Sequence, residues 1–118
     1  MTMMKKTFAM LLATLAIPVA QADAPKGDAA RGQALFTKNL CYTCHGTAGQ
    51  GGDRGSGPRI AYDLWPWEGF VQQVRHPRES MPRYDAKFVG DQDLADIYAY
   101  LGAQKRGAAA KDIPLLRD

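Results

Sequence analysis

Apolar residues recur at the three- and four-residue spacing of an amphipathic helix in three segments of the chain. In the first segment, Gly32 and Phe36 lie four residues apart, and the segment runs to about Lys38. Asp28 precedes it, and a short acceptor side chain at that position satisfies free backbone N–H groups at the start of a helix. The pattern therefore predicts a first helix with Asp28 as its N-cap.

The second segment runs from Trp67 to about Arg75. Pro77 cannot continue it, because proline lacks the backbone N–H that a helix interior needs. Its apolar residues, at spacings of three and four positions, are Phe70, Val71 and Val74. The spacing predicts a second amphipathic helix that ends just before Pro77.

The third segment has the clearest apolar stripe, which consists of Leu94, Ile97, Tyr98 and Leu101. Asp91 is the expected N-cap, and Asp93 adds a negative charge to the first turn, where the helix dipole favours one. We expect Gly102 or Gly107 to end this helix, because glycine commonly follows the last helical turn.

Residues 46–57 include six glycines, a density that excludes a regular helix or strand and predicts a loop. A glycine-rich loop can bind phosphate, but this one has no G-x-x-x-x-G-K-[ST] motif and no strand leading into it. Helices joined by loops, with little strand patterning, predict an all-α fold.

Residues 1–22 have the pattern of a secretory signal peptide. Lys5 and Lys6 precede the apolar stretch Phe8–Ala20, and Ala20-Gln21-Ala22 forms a small-residue cleavage site. The apolar stretch is shorter than the roughly 20 residues that span a membrane. We expect cleavage after Ala22, a periplasmic location, and no stable membrane insertion of the mature protein.

Cleavage leaves residues 23–118, enough for a single domain with a core at about 28–103 and a loose C-terminal tail. The whole chain has a formal charge of +3, but without Lys5 and Lys6 the mature chain has 13 basic and 12 acidic residues. This balance removes the main support for nucleic-acid binding. Met81 becomes the only methionine, and His45 and His76 the only histidines.

Both cysteines lie in the motif Cys41-Tyr42-Thr43-Cys44-His45. Such a pair can form a disulfide, a thioredoxin-like dithiol or half of a zinc site. A disulfide across two intervening residues would constrain the unfolded chain very little. No second C-x-x-C pair is present to complete a zinc site, and the sequence does not indicate the strands that surround a thioredoxin dithiol. C-x-x-C-H is the attachment signature of a c-type haem, which we favour over a disulfide or a metal clip.

From about Asp28 to Leu101 the chain resembles a class I, monohaem c-type cytochrome. The resemblance rests on four features in sequence order: Cys41–His45, Gly57-Pro58-Arg59-Ile60, Ser80-Met81-Pro82 and the closing helix Leu94–Leu101. It implies a small cytochrome c fold of three or more helices around one covalently bound haem c, with the first and last helices crossing. The residues implied at that crossing are Gly32, Phe36, Ile97, Tyr100 and Leu101.

The resemblance also implies how the haem is held. Cys41 and Cys44 would attach it covalently, and His45 and Met81 would be the two axial ligands of the iron. The carbonyl oxygen of Pro58 would accept a hydrogen bond from the second ring nitrogen of His45.

Other residues have weaker assignments. Ile60 stands where the family motif usually has leucine, and His76 is a competing ligand whose place before Pro77 suits a surface histidine at a helix end. Candidates for contact with a haem propionate are Arg59, Tyr62, Trp65 and Trp67. The alternative is that they are ordinary core aromatics and a surface arginine. The 35 residues between His45 and Met81 make the chain similar to compact bacterial cytochromes, including the haem subunit of p-cresol methylhydroxylase-type flavocytochromes.

Two filled axial positions leave the iron no open site for a substrate, which favours one-electron transfer over catalysis. We expect a carrier that accepts electrons from a dehydrogenase, or serves as its haem subunit, and passes them to the respiratory chain or a terminal oxidase. One alternative is a haem enzyme or gas sensor in which Met81 dissociates. Another is a binding module held by zinc or a disulfide.

The segment around Met81 is rich in positive charge. It has two more basic residues than acidic ones. The basic residues are Arg75, Arg78, Arg83 and Lys87, and the acidic residues are Glu79 and Asp85. We expect this segment to steer an acidic redox partner toward the haem edge. The alternative is a solvated loop whose charges have no specific role.

Overall fold

The computed structural model describes residues 23–116, so the predicted signal peptide lies outside the described residues. Within that range the chain forms four α-helices and no β-strand, which confirms the predicted all-α fold. None of these helices is long and apolar enough to cross a membrane. The helices are α1 (Ala29–Lys38), α2 (Tyr42–His45), α3 (Trp67–Arg75) and α4 (Asp91–Gly102), with short 3-10 turns at Asp53–Gly55, Ala110–Asp112 and Pro114–Leu116.

The N-terminus of α1 is capped as predicted. The side chain of Asp28 accepts a hydrogen bond from the backbone N–H of Arg31 at 2.9 Å. This bond satisfies one of the backbone donors that the first turn of a helix leaves without an intrahelical partner.

The predicted N-cap of α4 was wrong by one residue. Gly90 is the N-cap and Asp91 is the first helical residue. The side chain of Asp91 instead accepts a hydrogen bond from Arg75 at 2.8 Å, and Asp93 reaches back to accept from the backbone N–H of Gly90 at 2.9 Å. The helix ends at Gly102, the nearer of the two glycines proposed for its end.

Helices α1 and α4 cross closely, as the resemblance implied. A Cβ atom on Gly32 would overlap the backbone carbonyl of Asp96 and lie 2.9 Å from the Cβ of Tyr100. Next to this point, the rings of Phe36 and Tyr100 pack with centroids 5.6 Å apart. The two helices can approach this closely because glycine at position 32 presents no side chain to α4.

The core lies between α1, α4 and the segments that connect them. Its most deeply buried large side chains include Phe36, Leu94, Leu101 and Val89. Helix α3 joins this core through an aromatic cluster in which the ring of Tyr98 on α4 lies 5.4 Å from that of Trp67.

A buried ionic group that the sequence did not indicate links the two crossing helices. The carboxylate of Asp96 on α4 is only 2% exposed and accepts hydrogen bonds from the backbone N–H of Asp28 at 2.8 Å and from Gln92 at 3.0 Å. Arg31 on α1 pairs with the same carboxylate. The Asp28 N–H bond, followed by Gln92 and Arg31, lowers the pKa of Asp96 below its usual range.

Candidate functional site

A tight turn between α1 and α2 places the C-x-x-C-H motif against the end of α1. Asn39 ends α1, Leu40 adopts a left-handed conformation with φ 59°, and the N–H of Cys41 then bonds to the carbonyl of Phe36 at 3.1 Å. The side chain of Tyr84 donates to the carbonyl of Asn39 at 3.0 Å. The turn is therefore held from both sides, and the motif begins at a defined position.

The two cysteines differ in their surroundings. Cys41 is half-buried and Cys44 is exposed. Burial raises the pKa of the Cys41 thiol above its ordinary value. Among residues 23–116 no group of three or more histidine, cysteine or acidic side chains is placed to hold a metal ion.

The ring of His45 has a fixed orientation. Its Nδ1 atom lies 2.8 Å from the carbonyl oxygen of Pro58, the contact that the resemblance implied. A carbonyl oxygen can only accept, so Nδ1 is the donor in this contact, and Nε2 is the ring nitrogen left free for a metal. A histidine held in this way presents Nε2 as a ligand without having to order its ring first.

The glycine-rich loop packs directly on the back of this motif. A Cβ on Gly57 would lie 2.5 Å from the carbonyl oxygen of Cys44, so a larger residue would push the loop away. The N–H of Gly51 bonds to the carbonyl of His45 at 2.8 Å, and the hydroxyl of Tyr100 donates to the carbonyl of Thr47 at 2.7 Å. The loop therefore connects the motif to α4 and brings Pro58 to the imidazole.

Met81 lies in the irregular segment 76–90, which connects α3 to α4 and contacts side chains of α3. Its side chain is half-buried against the core, and its sulfur lies 3.6 Å from Nε2 of Gln73 on α3. Arg75 holds the end of the same segment, because its guanidinium donates to the carbonyls of Tyr84 at 3.0 Å and Val89 at 2.7 Å.

This role of Arg75 corrects one expectation from the sequence. Its side chain is only 13% exposed and pairs with Asp91, so it does not contribute to a positive surface beside Met81. The exposed basic residues of the segment are Arg78, Arg83 and Lys87, and the local excess falls from two positive charges to one.

The candidates for contact with a propionate lie in different surroundings. Arg59 is exposed and pairs with Asp63 at 3.3 Å. The guanidinium of Arg106 lies over the ring of Tyr62, 5.3 Å from the ring centroid. Trp67 packs in the aromatic cluster of α3 and α4. Trp65 is 51% exposed.

His76 lies at the end of a helix, as the sequence predicted, and Ile60 lies in the segment after Pro58. His76 is exposed at the C-cap of α3, and its backbone N–H bonds to the carbonyl of Gln72 at 2.8 Å. Ile60 is half-buried against the core, and its N–H bonds to the carbonyl of Gly49 at 2.8 Å.

The residues present fit a haem group. An oriented imidazole and a thioether form a donor set that haem iron takes. Several large apolar side chains pack against the core yet remain only half-buried, and a flat apolar group would cover surface that they leave open. These side chains include Leu35, Ile60, Leu64, Trp67, Phe70, Val71 and Met81.

Three residues have roles at the site that the sequence did not predict. Tyr84 supports the turn before Cys41, and burial, with the neighbouring Cys41 as a second cause, raises the pKa of its hydroxyl. Arg75 anchors the segment of Met81, and Gln73 contacts the sulfur. Nothing in the sequence indicated these roles for Gln73 and Arg75, because their contacts form only when the segment after α3 folds back onto the helix.

Comparison with protein families gives a match over most of the described residues. Residues 27–101 match the model of the family described as cytochrome C oxidase, cbb3-type, subunit III. The matched range covers more than half of the chain and includes both Cys41–His45 and Met81. Comparisons with curated proteins and with solved structures found no match.

Proposed function

This chain belongs to the c-type cytochrome family described as cytochrome c oxidase, cbb3-type, subunit III, and on that premise we propose that it is a periplasmic one-electron carrier. Membership in the family supports haem-based electron transfer. The observation that carries the proposal is the fixed ring of His45 within the C-x-x-C-H motif, with Nδ1 bonded to Pro58 at 2.8 Å. An imidazole oriented in advance suits an iron that must change its charge without changing its ligands.

We propose that the cofactor is a single covalently attached haem c, since the sequence contains one C-x-x-C-H motif. Cys41 and Cys44 would each add across a vinyl double bond, with sulfur bonding to one carbon and the thiol hydrogen going to the other. The bound haem supplies an iron that cycles between Fe(II) and Fe(III). His45 and Met81 would be the two residues that bind this iron, and the class I assignment rests on that pair.

The chain's residues keep the axial ligands in place while the electron moves. Pro58 holds His45, while Gln73 contacts the sulfur of Met81 and Arg75 fastens the end of the Met81 segment. A thioether favours the reduced metal, and half-buried apolar side chains around it disfavour the extra charge of the oxidised form. We therefore expect a positive reduction potential.

The partners are redox proteins in this proposal. A dehydrogenase would supply the electron, either to a free carrier or to a haem subunit of the p-cresol methylhydroxylase type. The family description names an oxidase subunit, which supports a terminal oxidase as the acceptor. The signal-like pattern of residues 1–22 supports the periplasmic location.

Carbon monoxide binding to the reduced holoprotein tests the carrier against the enzyme or sensor alternative. If Met81 stays on the iron, the parent protein binds carbon monoxide poorly, and Met81→Ala binds it readily because the sixth position opens. A matched control is His76→Ala, which should behave like the parent. Ready binding by the parent would overturn the carrier proposal and favour a protein in which Met81 dissociates.

A further inference from the structure

The side-chain amide of Gln73 lies between Met81 and Arg78. Its Nε2 atom is 3.6 Å from the sulfur of Met81, and its Oε1 atom accepts a hydrogen bond from Nε of Arg78 at 3.2 Å. Gln73 belongs to α3, whereas Met81 and Arg78 belong to the segment that follows it. One side chain of the helix therefore contacts both a candidate iron ligand and an exposed cation.

The chemistry of these groups allows only one orientation of the amide. A guanidinium has donors and no acceptor, so it must face the carbonyl oxygen of Gln73. The NH₂ group then points to the thioether, which is a weak acceptor. Rotation of the amide by half a turn would place its oxygen against the sulfur lone pairs and its NH₂ group against the guanidinium. Arg78 therefore determines which end of Gln73 meets Met81.

Arg78 has a second contact that limits its own movement. Its guanidinium lies over the ring of Trp65, 5.3 Å from the ring centroid, in a cation–π arrangement. This contact gives a structural reason for a tryptophan at position 65, where the large apolar side chain is 51% exposed. Trp65, Arg78, Gln73 and the sulfur of Met81 thus form a continuous series of contacts from the surface inward.

We propose that Gln73 is a positioning residue for the axial thioether and that Arg78, supported by Trp65, sets the orientation of its amide. A thioether sulfur has two lone pairs, and a donor on one of them leaves the other for the iron. The N–H contact also withdraws electron density from the sulfur, which makes it a poorer donor to Fe(III) and raises the reduction potential. This proposal rests on the assignment of Met81 as an iron ligand.

The test compares single leucine variants of two neighbouring glutamines in the haem-loaded protein. Gln73→Leu should lower the reduction potential and broaden or split the Met81 methyl signal in the proton NMR spectrum of the Fe(II) form, because the sulfur then samples two orientations. Gln72→Leu is the matched control, since Gln72 is an exposed residue of the same helix. It should leave both measurements at the parent's values.

A second comparison separates the orientation of Gln73 from the loss of a charge. Arg78→Ala should lower the potential more than Arg83→Ala, which removes one exposed positive charge from the same segment and whose partner is Asp85. In the Gln73→Leu background, Arg78→Ala should add no more than Arg83→Ala does, because the amide that it orients is gone.

The outcomes separate this proposal from the proposed function. If Met81→Ala changes the haem spectrum but Gln73→Leu and Gln72→Leu give equal potentials and equal methyl signals, the positioning role is overturned and the carrier proposal stands. If Met81→Ala leaves the parent's spectrum unchanged, Met81 is not the ligand, and both proposals are overturned.

Discussion

Gly32 on α1 faces the backbone carbonyl of Asp96 on α4 so closely that a Cβ atom at position 32 would overlap it. The same α4 residue uses its side chain to accept the backbone N–H of Asp28, the N-cap of α1. Asp96 therefore contacts α1 through both its main chain and its side chain. This pair of contacts sets the spacing of the crossing from which the C-x-x-C-H turn departs.

Alanine substitutions at two helical glycines test this close approach. Gly32→Ala should lower the free energy of unfolding by about 1–3 kcal/mol, because the new methyl group forces the helices apart. Gly69→Ala is the matched control in α3, where a Cβ would lie 3.9 Å from the nearest atoms of Trp65. It should be neutral or stabilise by up to about 1 kcal/mol, through helix propensity. Denaturant unfolding of the two holoproteins measures both values, and equal effects would show that the crossing tolerates a side chain.

The buried carboxylate predicts a specific dependence of stability on pH. The pKa of Asp96 is lowered in the folded protein, chiefly by the Asp28 N–H, so its contribution is complete above the ordinary carboxyl pKa of about 3.9. This stabilising contribution is lost as the pH falls from about 3.9 through the lower pKa that Asp96 has in the folded protein. Asp96→Asn should therefore cost about 1–3 kcal/mol near neutral pH, and its difference from the parent should shrink below about pH 4.

Asp63 provides the control for this experiment. It is an exposed carboxylate that pairs with Arg59 and Arg106 at the surface. Asp63→Asn should change the free energy of unfolding by less than about 0.5 kcal/mol, because exposed ion pairs contribute little. A constant difference between Asp96→Asn and the parent from neutral to acid pH would contradict the role assigned to the Asp96 charge.

The sequence predicted the helices because their spacing is local. The Asp28 cap and the bounds of α3 follow from a few neighbouring residues, and the structure confirms both. Asp96 was missed because it lies beside the apolar stripe of α4, where an acidic residue looks like part of a solvated face. Its partners Asp28 and Arg31 are more than sixty residues away in sequence.

The same reason explains the error at the start of α4. Aspartate is a residue type favoured at the N-cap, but the carboxylate of Asp91 pairs with Arg75, which lies 16 residues earlier in the chain. The contact of Gln73 with Met81 also arises only when the segment after α3 folds back. The C-x-x-C-H motif and the family resemblance proposed the ligand candidates, whereas the groups that orient them depend on tertiary structure.

Exposed charge beside Met81 predicts how the protein meets its partner. Arg83→Glu with Lys87→Glu should slow reduction by the physiological donor several-fold at low ionic strength, because both cations are exposed in this segment. The effect should shrink as salt shortens the Debye length towards about 8 Å. Arg78 is left unchanged because it contacts Gln73.

The control for this charge reversal is Lys26→Glu with Lys105→Glu, which changes the same total charge at exposed positions outside the segment. Stopped-flow kinetics across a range of salt concentrations compares the two double variants. If both slow the reaction equally, only net charge matters, and the segment beside Met81 is not the docking surface.

The small apolar core predicts that the haem is required for folding. Cys41→Ala with Cys44→Ala should give a largely disordered product, because a small domain gains stability from a group that binds only its folded form. Far-UV circular dichroism measures the remaining helix. A native-like helical spectrum from this variant would show that the chain folds without attached haem.

The absorption spectrum of the ferric holoprotein tests the central claim, that a haem sits between His45 and Met81, most directly. A thioether on ferric haem iron gives a weak far-red band, which two imidazoles do not give. We expect this band in the parent and in His76→Ala, and its loss in Met81→Ala. Loss of the low-spin spectrum in His76→Ala while Met81→Ala keeps it would contradict the account and identify His76 as the ligand.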